Sequence, residues 1–527
     1  NDLSGNTGYG IQSGPATATN GKCNWWGDAS GPGPVGPGSG SNVSTDVTYA
    51  VWLFNNNLNG GNVTNIDTGE VFCSIQEAID DSDTLNGHTI VASAGVYQEN
   101  VTVHKSVTLN GANAGVSPND PITPLNPNGA RGPESELAVT GNGVAFKIHA
   151  PDVTIDGFKF TDSAVDQAHI QMPLIATGWN YGGEGPGFKV VNNLFSETSR
   201  VLFYSNGPNQ ITDGTIDNNR VQDPGRADTN CGTAPATAPS NCGYQLFNLW
   251  RIDGLSFQGN VTAANPGSGD RIRTLNVFNS TEVIVADNTI RNTCIYNCFN
   301  IAAGTSGNVE VTGNDVVTDV GSVVQIHSSW TTAGATINVH HNTFTTGADF
   351  PIVVDAVNAD LDNVHINRNV LIGDFHARNG TPPSLPGTET LDITCNWWGG
   401  VGGPNKPNGL FGPLDYTPWL YTNDLDGPCY IGGTIEIEKV AEGGGNTVFE
   451  FDLSWTTPIT LTNGGSYITS PPLPEGTYSV GEVNLPIGWS QQSATCDNSA
   501  TTPVETVNPA AITVADGDAW VCTFTNV

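Results

Sequence analysis

The chain has 527 residues, with 17 Lys and Arg against 51 Asp and Glu, a formal net charge of −34. Such a surface repels phosphate backbones and anionic membranes, and there is no apolar run of about 18 residues to span a bilayer. Charged residues are only 13% of the chain and apolar ones 37%, so a packed core lies under a neutral surface of Asn, Thr, Ser and Gly.

The 64 Gly and 33 Pro punctuate short alternating runs of Val, Ile, Thr and Phe. This is the pattern of an all-β protein rich in turns. The opening NDLSGNTGYG lacks the basic region and apolar core of a secretory leader. Next comes Cys-Asn-Trp-Trp-Gly at Cys23–Gly27, which recurs at Cys395–Gly399. Ten cysteines point to disulfides and an oxidising, extracellular setting, because paired CxxC spacing and nearby His are missing. Cys231 and Cys242 bracket a Pro/Ala/Thr loop, and Cys294 and Cys298 stand four apart. Sequons at Asn42, Asn62, Asn100, Asn260, Asn279 and Asn379 fit the same setting.

FCSIQEAIDD comes after the first motif. Ser74 and Glu77 have capping-box spacing, and Ile75, Ala78 and Ile79 share one apolar face. A short helix is expected to cover the first coil of a repeat, with strands at 89–92, 101–103 and 106–109. Phe72 to Asn113 resembles the opening of the pectate-lyase-like family of right-handed parallel β-helix proteins. The resemblance implies a fold that also hosts polysaccharide lyases and glycoside hydrolases.

Beyond it, short segments recur: FKVVNNLF, GTIDNNRV, LSFQGNVT, VIVADNTI, VEVTGNDV, INVHHNTF and VHINRNVL. Their shared asparagines are Asn193, Asn219, Asn260, Asn288, Asn314, Asn342 and Asn369, and Asn396 continues the series. A period of about 27 residues is one coil of a solenoid whose strands pair in parallel with the next coil. The crossover rule favours a right-handed coil. The asparagines are expected to stack as a ladder and to supply the left-handed backbone of a tight corner. The loop holding Cys231 and Cys242 is an insertion into one coil. The best column for catalytic groups lies one residue before the ladder, at Asp287, Gly313, His341 and Arg368, with His340 and His365 close by and His327 half a coil earlier. These would line a groove of an enzyme or of a polysaccharide-binding adhesin.

The second CNWWG falls in register, with Asn396 on the ladder. The expectation is a seal in which Trp397, Trp398 and Trp419 close the last coil. The motif resembles the terminal segment of bacterial surface β-helix proteins. Cys395 is expected to pair with Cys429, and Cys23 with Cys73. The first copy, with Trp25 and Trp26, then reads as the lid of an upstream β-helix, too short for a whole coil. The partners expected are other copies of the chain, adjoining repeats of the same polypeptide, or surface polysaccharide.

In the last hundred residues the repeat disappears. IEIEK, LPEGTYSVGE, PIGW and CTFTN carry a resemblance over Gly432–Val527 to the prealbumin-like, Cna-B-type domains of bacterial surface proteins. The resemblance implies a small β-sandwich, with a Cys496–Cys522 disulfide expected. It also implies an isopeptide bond between Lys439 and Asn526 assisted by Glu482. No cofactor is required. Calcium would sit at acidic turns, Asn423–Gly427 or Asp516–Asp518. The organisation read from sequence is therefore a lid over 1–60, a right-handed parallel β-helix over 61–430 and a prealbumin-like sandwich over 431–527. The function expected is that of a surface stalk, fibre or layer.

Overall fold

The computed structural model describes the chain apart from residues 15–18, 37, 50–51, 55, 57–61, 120–130, 139–143, 162–169, 172–184, 197–201, 204–210, 223–243, 264–271, 292–293, 295–296, 304–306, 320, 328–335, 348–349, 356–360, 374–376, 382–384, 387–388, 401–402, 405–409, 444 and 470–471. Cys231 and Cys242 lie outside the described residues.

From Thr89 onward the chain winds a parallel β-helix with three walls. One wall stacks Thr89–Ala92, Thr108–Asn110, Thr154–Asp156, Lys189–Val191 and their successors to Leu414–Asp415. The second wall is a ten-stranded sheet from Gly95–Tyr97 to Val370–Ile372. The third runs from Val101–Val103 to Leu410–Phe411. Strands are short because Asn, Asp or Gly interrupts each alternating run after a few residues. Ile272–Ala286 is the exception, passing from the third wall into the first without a break.

Side chains alternate, so every second position along a strand points inward. Leu109, Ile155, Val190, Ile216, Phe257, Val285, Val311, Val339 and Ile366 stack in register and are buried. Phe160 and Phe195 stack face to face on the adjoining wall, with ring centroids 4.7 Å apart.

The asparagine ladder is continuous. In each pair the backbone N–H and the Nδ2 of one asparagine donate to Oδ1 of the next, from Asn193 through Asn219, Asn260, Asn288, Asn314, Asn342 and Asn369 to Asn396. All of these asparagines are buried. The left-handed corner, however, is not theirs. It belongs to the preceding residue: Asn192, Asn218, Gly259, Asp287, Gly313, His341, Arg368 and Cys395 all have φ between 54° and 66°. The ladder asparagine turns inward to satisfy backbone groups of two coils, and its neighbour absorbs the bend.

The upper end is covered by the helix Ile75–Asp80, with Ile75, Ala78 and Ile79 buried. Ser74 Oγ accepts the Glu77 N–H at 3.1 Å. The other exposed N–H groups, of Ile75 and Gln76, donate to the Glu99 carboxylate at 3.0 and 3.2 Å.

Two smaller cores flank the helix. Trp26, Val43, Val47 and Trp52 form one, near the parallel strands Tyr9–Ile11, Gly40–Val43 and Pro32–Pro34. The other lies within residues 434–526, between a five-stranded sheet and a three-stranded sheet, and includes Ile435, Ile437, Phe451, Trp520 and Phe524.

Candidate functional site: two junctions, a buried lysine and a histidine wall

Around Asn24 and Asn396 the same contacts are built twice. Leu371 N–H donates to Trp397 O and Trp397 N–H to Asn369 O; Leu3 N–H donates to Trp25 O and Trp25 N–H to Asn1 O. Asn369 Nδ2 donates to Asn396 Oδ1 at 3.0 Å, and Asn1 Nδ2 donates to Asn24 Oδ1 at 2.9 Å. Asn1 therefore stands to Asn24 as Asn369 stands to Asn396, in a ladder position. The segment is shorter than a whole coil, as expected, yet it keeps a rung.

The lids also correspond. Trp26 and Trp398 point inward and are buried, while Trp25 and Trp397 face outward and are half-buried, as strand alternation requires. Trp419 is buried beneath Gly403, and Trp52 beneath Gly31. A Cβ on Gly31 would sit 2.4 Å from the Trp52 ring, and its φ of 90° favours glycine besides. Sequence reasoning misses Trp52, although VWLF stands against PWLY at a similar offset from each motif. The Gly/Pro segment after Trp398 leads into two short strands. Leu410–Phe411 and Leu414–Asp415 pair with Ala377–Thr381 and Leu391–Asp392, adding part of a coil before Trp419 closes it.

Each lid is stapled to the next module. Cys23 bonds Cys73 beside the cap helix, and Cys395 bonds Cys429 in the strand entering the last domain, with Cα separations of 5.6 and 5.2 Å. Cys294–Cys298 and Cys496–Cys522 are also bonded. Three sequon asparagines, Asn62, Asn260 and Asn379, are buried and hydrogen-bonded to backbone, so in the fold they present no amide to solvent. Asn42, Asn100 and Asn279 are exposed.

In the last domain Thr434–Ala441 and Ala519–Asn526 run parallel, Lys439 opposite Phe524 and Ala441 opposite Asn526. Strand alternation turns Lys439 and Asn526 to the same inner face, where they are 1% and 0% exposed. Lys439 Nζ lies 3.2 Å from Glu482 Oε1, whose side chain is fully buried. It also donates to the carbonyls of Val440 and Phe524, and it stands 4.3 Å over the Phe449 ring. Burial pushes the Lys439 ammonium below its ordinary value, and Glu482 opposes that shift. The Asn526 carboxamide is buried with no hydrogen-bond partner among the described residues.

The groove candidates are put to structural use. His341 and Arg368 are neighbours on adjacent coils, His341 N–H donating to Arg368 O at 2.7 Å. Arg368 Nη1 donates to Leu425 O and Gly427 O at 2.7 and 3.1 Å, and His341 Nε2 lies 3.1 Å from Asp426 Oδ1. The turn before the last domain thus sits on them. Asp287 is exposed two coils away, about 9.6 Å along the axis. His365 lies 3.5 Å from Asp392, and His327 belongs to a different wall. A groove of about 650 Å³ exists elsewhere, lined by Asp152, Lys189, Asp213, Thr215, Ser256 and Glu282 among others, and holds none of the candidates.

The acidic turns proposed for calcium have carboxylates engaged within the fold: Asp424 Oδ1 accepts the Asp426 N–H, and Asp426 Oδ1 lies against His341 Nε2. Asp516 caps Gly432 N–H, and Asp518 accepts from Asn498, Ala515 and Trp520. Among the described residues the carboxylates that do converge are Glu70, Asp81 and Asp83, each offering an oxygen within 4.8 Å of the others.

Comparison with known proteins separates the parts. Residues 435–527 match the family of the prealbumin-like fold domain. A cell surface glycoprotein of Methanothermus fervidus is 28% identical over 131 residues, which is 23% of this chain and 19% of that protein. The chain thus spans about a fifth of the length of that relative. The crystal structure of the Dettilon tailspike protein aligns over 81% of this chain and 83% of its own, at 12% identity and a TM-score of 0.29, and adds nothing to the fold seen directly.

Proposed function

We propose that this chain is a structural segment of a cell-surface stalk or layer, built to hold modules in line. The chain is an extracellular or cell-surface protein with a parallel β-helix and a prealbumin-like domain. The observation that carries the structural reading is the duplicated junction. Each lid is closed by buried tryptophans and cross-linked to the module that follows it, while the side chains best placed for catalysis anchor a linker.

Two further proposals belong to the same reading. The rung formed by Asn1–Leu3 pairs with a coil of another β-helix, in the same polypeptide or in another copy. Its support is register: Asn369, the matching rung, accepts the N–H of Asn342 on its own Oδ1. Lys439 Nζ attacks Asn526 Cγ, the C–N bond to the carboxamide nitrogen breaks, and ammonia leaves. Glu482 carries the proton from Nζ to the departing nitrogen. The intact mass then falls by about 17 Da beyond the disulfide losses, and E482Q restores the full mass.

The deciding experiment incubates the purified chain with a panel of neutral and acidic polysaccharides. No release of reducing or unsaturated ends is expected. Turnover would overturn the structural reading, and retention without turnover would favour an adhesin that uses the groove around Lys189 and Ser256.

A further inference from the structure

His340 and His341 present a proton-counting problem. His340 ends the strand Thr336–His340 with its side chain outward. The left-handed backbone at His341, with φ of 55°, brings the next ring to the same side. The two Nδ1 atoms face each other at 2.8 Å. His340 Nε2 contacts the Glu310 carboxylate, and His341 Nε2 lies 3.1 Å from Asp426 Oδ1.

An ionised carboxylate only accepts, so each Nε2 has to carry its ring's proton. Two neutral rings arranged that way aim two lone pairs at each other across 2.8 Å. Moving one proton to an Nδ1 relieves this clash but turns the bare Nε2 of that ring toward a carboxylate. No tautomer of two neutral rings satisfies all three contacts. A cation between the Nδ1 atoms does. Thr312 Oγ1, 3.3 Å from His340 Nδ1, is a further oxygen at the same place.

The order carboxylate, imidazole, cation is the arrangement in which metal-bound histidines are oriented and made more basic. We propose that His340 and His341 bind one divalent transition-metal ion through their Nδ1 atoms. Glu310 and Asp426 act as positioning residues, and water completes the shell. Imidazole pairs suit zinc, copper or nickel rather than calcium or magnesium. Two bonds of about 2.1 Å at a tetrahedral angle need nitrogens about 3.4 Å apart, a small rotation from the geometry seen. Asp426 belongs to the turn that Arg368 also holds, at Leu425 and Gly427. Metal binding would therefore fasten the linker of the last domain to the β-helix wall.

The test titrates Cu²⁺ and Zn²⁺ into the full, oxidised, metal-free chain near neutral pH. One saturable site is expected, with a copper spectrum showing two imidazole nitrogens. H340A and H341A each remove it, and H365A keeps it. E310Q and D426N keep both ligands and weaken binding about tenfold or more. Amide exchange over 423–427 should slow on adding Zn²⁺ to the wild type and not to H341A. Saturable binding that survives in H340A/H341A would overturn the proposal. So would no saturable binding to the wild type, which would leave a shared proton as the cation.

Discussion

The two Cys-Asn-Trp-Trp-Gly junctions share their rung, their inward tryptophans and their staple, yet they lead into unrelated modules. After the first, Phe54 meets Tyr97 of the new β-helix edge-on, with centroids 5.1 Å apart. After the second, Tyr421 stacks on Tyr430 at 4.7 Å and its hydroxyl donates to Leu473 O at 3.5 Å. Phe54 and Tyr421 each come directly after a Trp-Leu pair, and only the aromatic ring is reused. The lid is thus a connector indifferent to the module it connects. Its closing chemistry lies upstream, in the asparagine and tryptophans, and its coupling lies in one aromatic and one cystine.

If the lids are equivalent, deleting their plugs should cost the same at both ends. W52A and W419A are each expected to lose about 3–5 kcal/mol from the unit they close, the usual cost of emptying a buried aromatic site. The half-buried W25A and W397A should lose only about 1 kcal/mol. Urea unfolding monitored by hydrogen exchange, resolved by segment, checks both pairs. A large loss at one lid only would break the equivalence.

The rungs should differ by their partners. Asn396 accepts two donors from Asn369 and gives its amide to Ile366, Ile393 and Thr394 carbonyls. Asn24 accepts from Asn1 and gives to Gly21 and Lys22. N396A strands more buried groups, so it should cost about 3 kcal/mol against about 2 for N24A. Equal losses would mean that the ladder is not cooperative with the lid.

A smaller effect sharpens the difference between the modules, at the cap helix beyond the first junction. Burial pushes Glu99, which caps the helix next to Cys73, up to about 7, although two backbone N–H groups pull it down. The folded state then holds its proton more tightly than the unfolded chain. The contribution is complete below the ordinary carboxylate range near 4.5 and is lost as pH rises through about 7. Urea midpoints for the upper cap should fall across that window, and E99Q should flatten the fall.

The ladder is legible because a buried asparagine must recur once per coil, and the spacing survives wherever no loop is inserted. The corner is harder to assign although its signal is present. Asn192, Asn218, Gly259, Asp287 and Gly313 are residues that tolerate the left-handed region, but His341, Arg368 and Cys395 hide the column. Gly313 has a second reason to be glycine, since a Cβ there would lie 2.2 Å from Asp287 Oδ1. The lysine, glutamate and asparagine of the last domain can be placed only through family resemblance, because alternation says which face a residue takes and not what it meets. The capture of His341 and Arg368 by residues 425–427 is invisible in the sequence, since it depends on how the chain returns across the finished wall after more than fifty residues.

Pulling one molecule by its two ends tests the account most directly. With disulfides intact, the loops closed by Cys23–Cys73 and Cys395–Cys429, with sequence separations of 50 and 34, should stay hidden from the force. Reduction should then release about 175 and about 120 Å, at about 3.5 Å per residue. The segment between Lys439 and Asn526 should add no length in either state. Full extension of the chain before reduction, or extension of that last segment, would contradict a protein built to hold its modules in line.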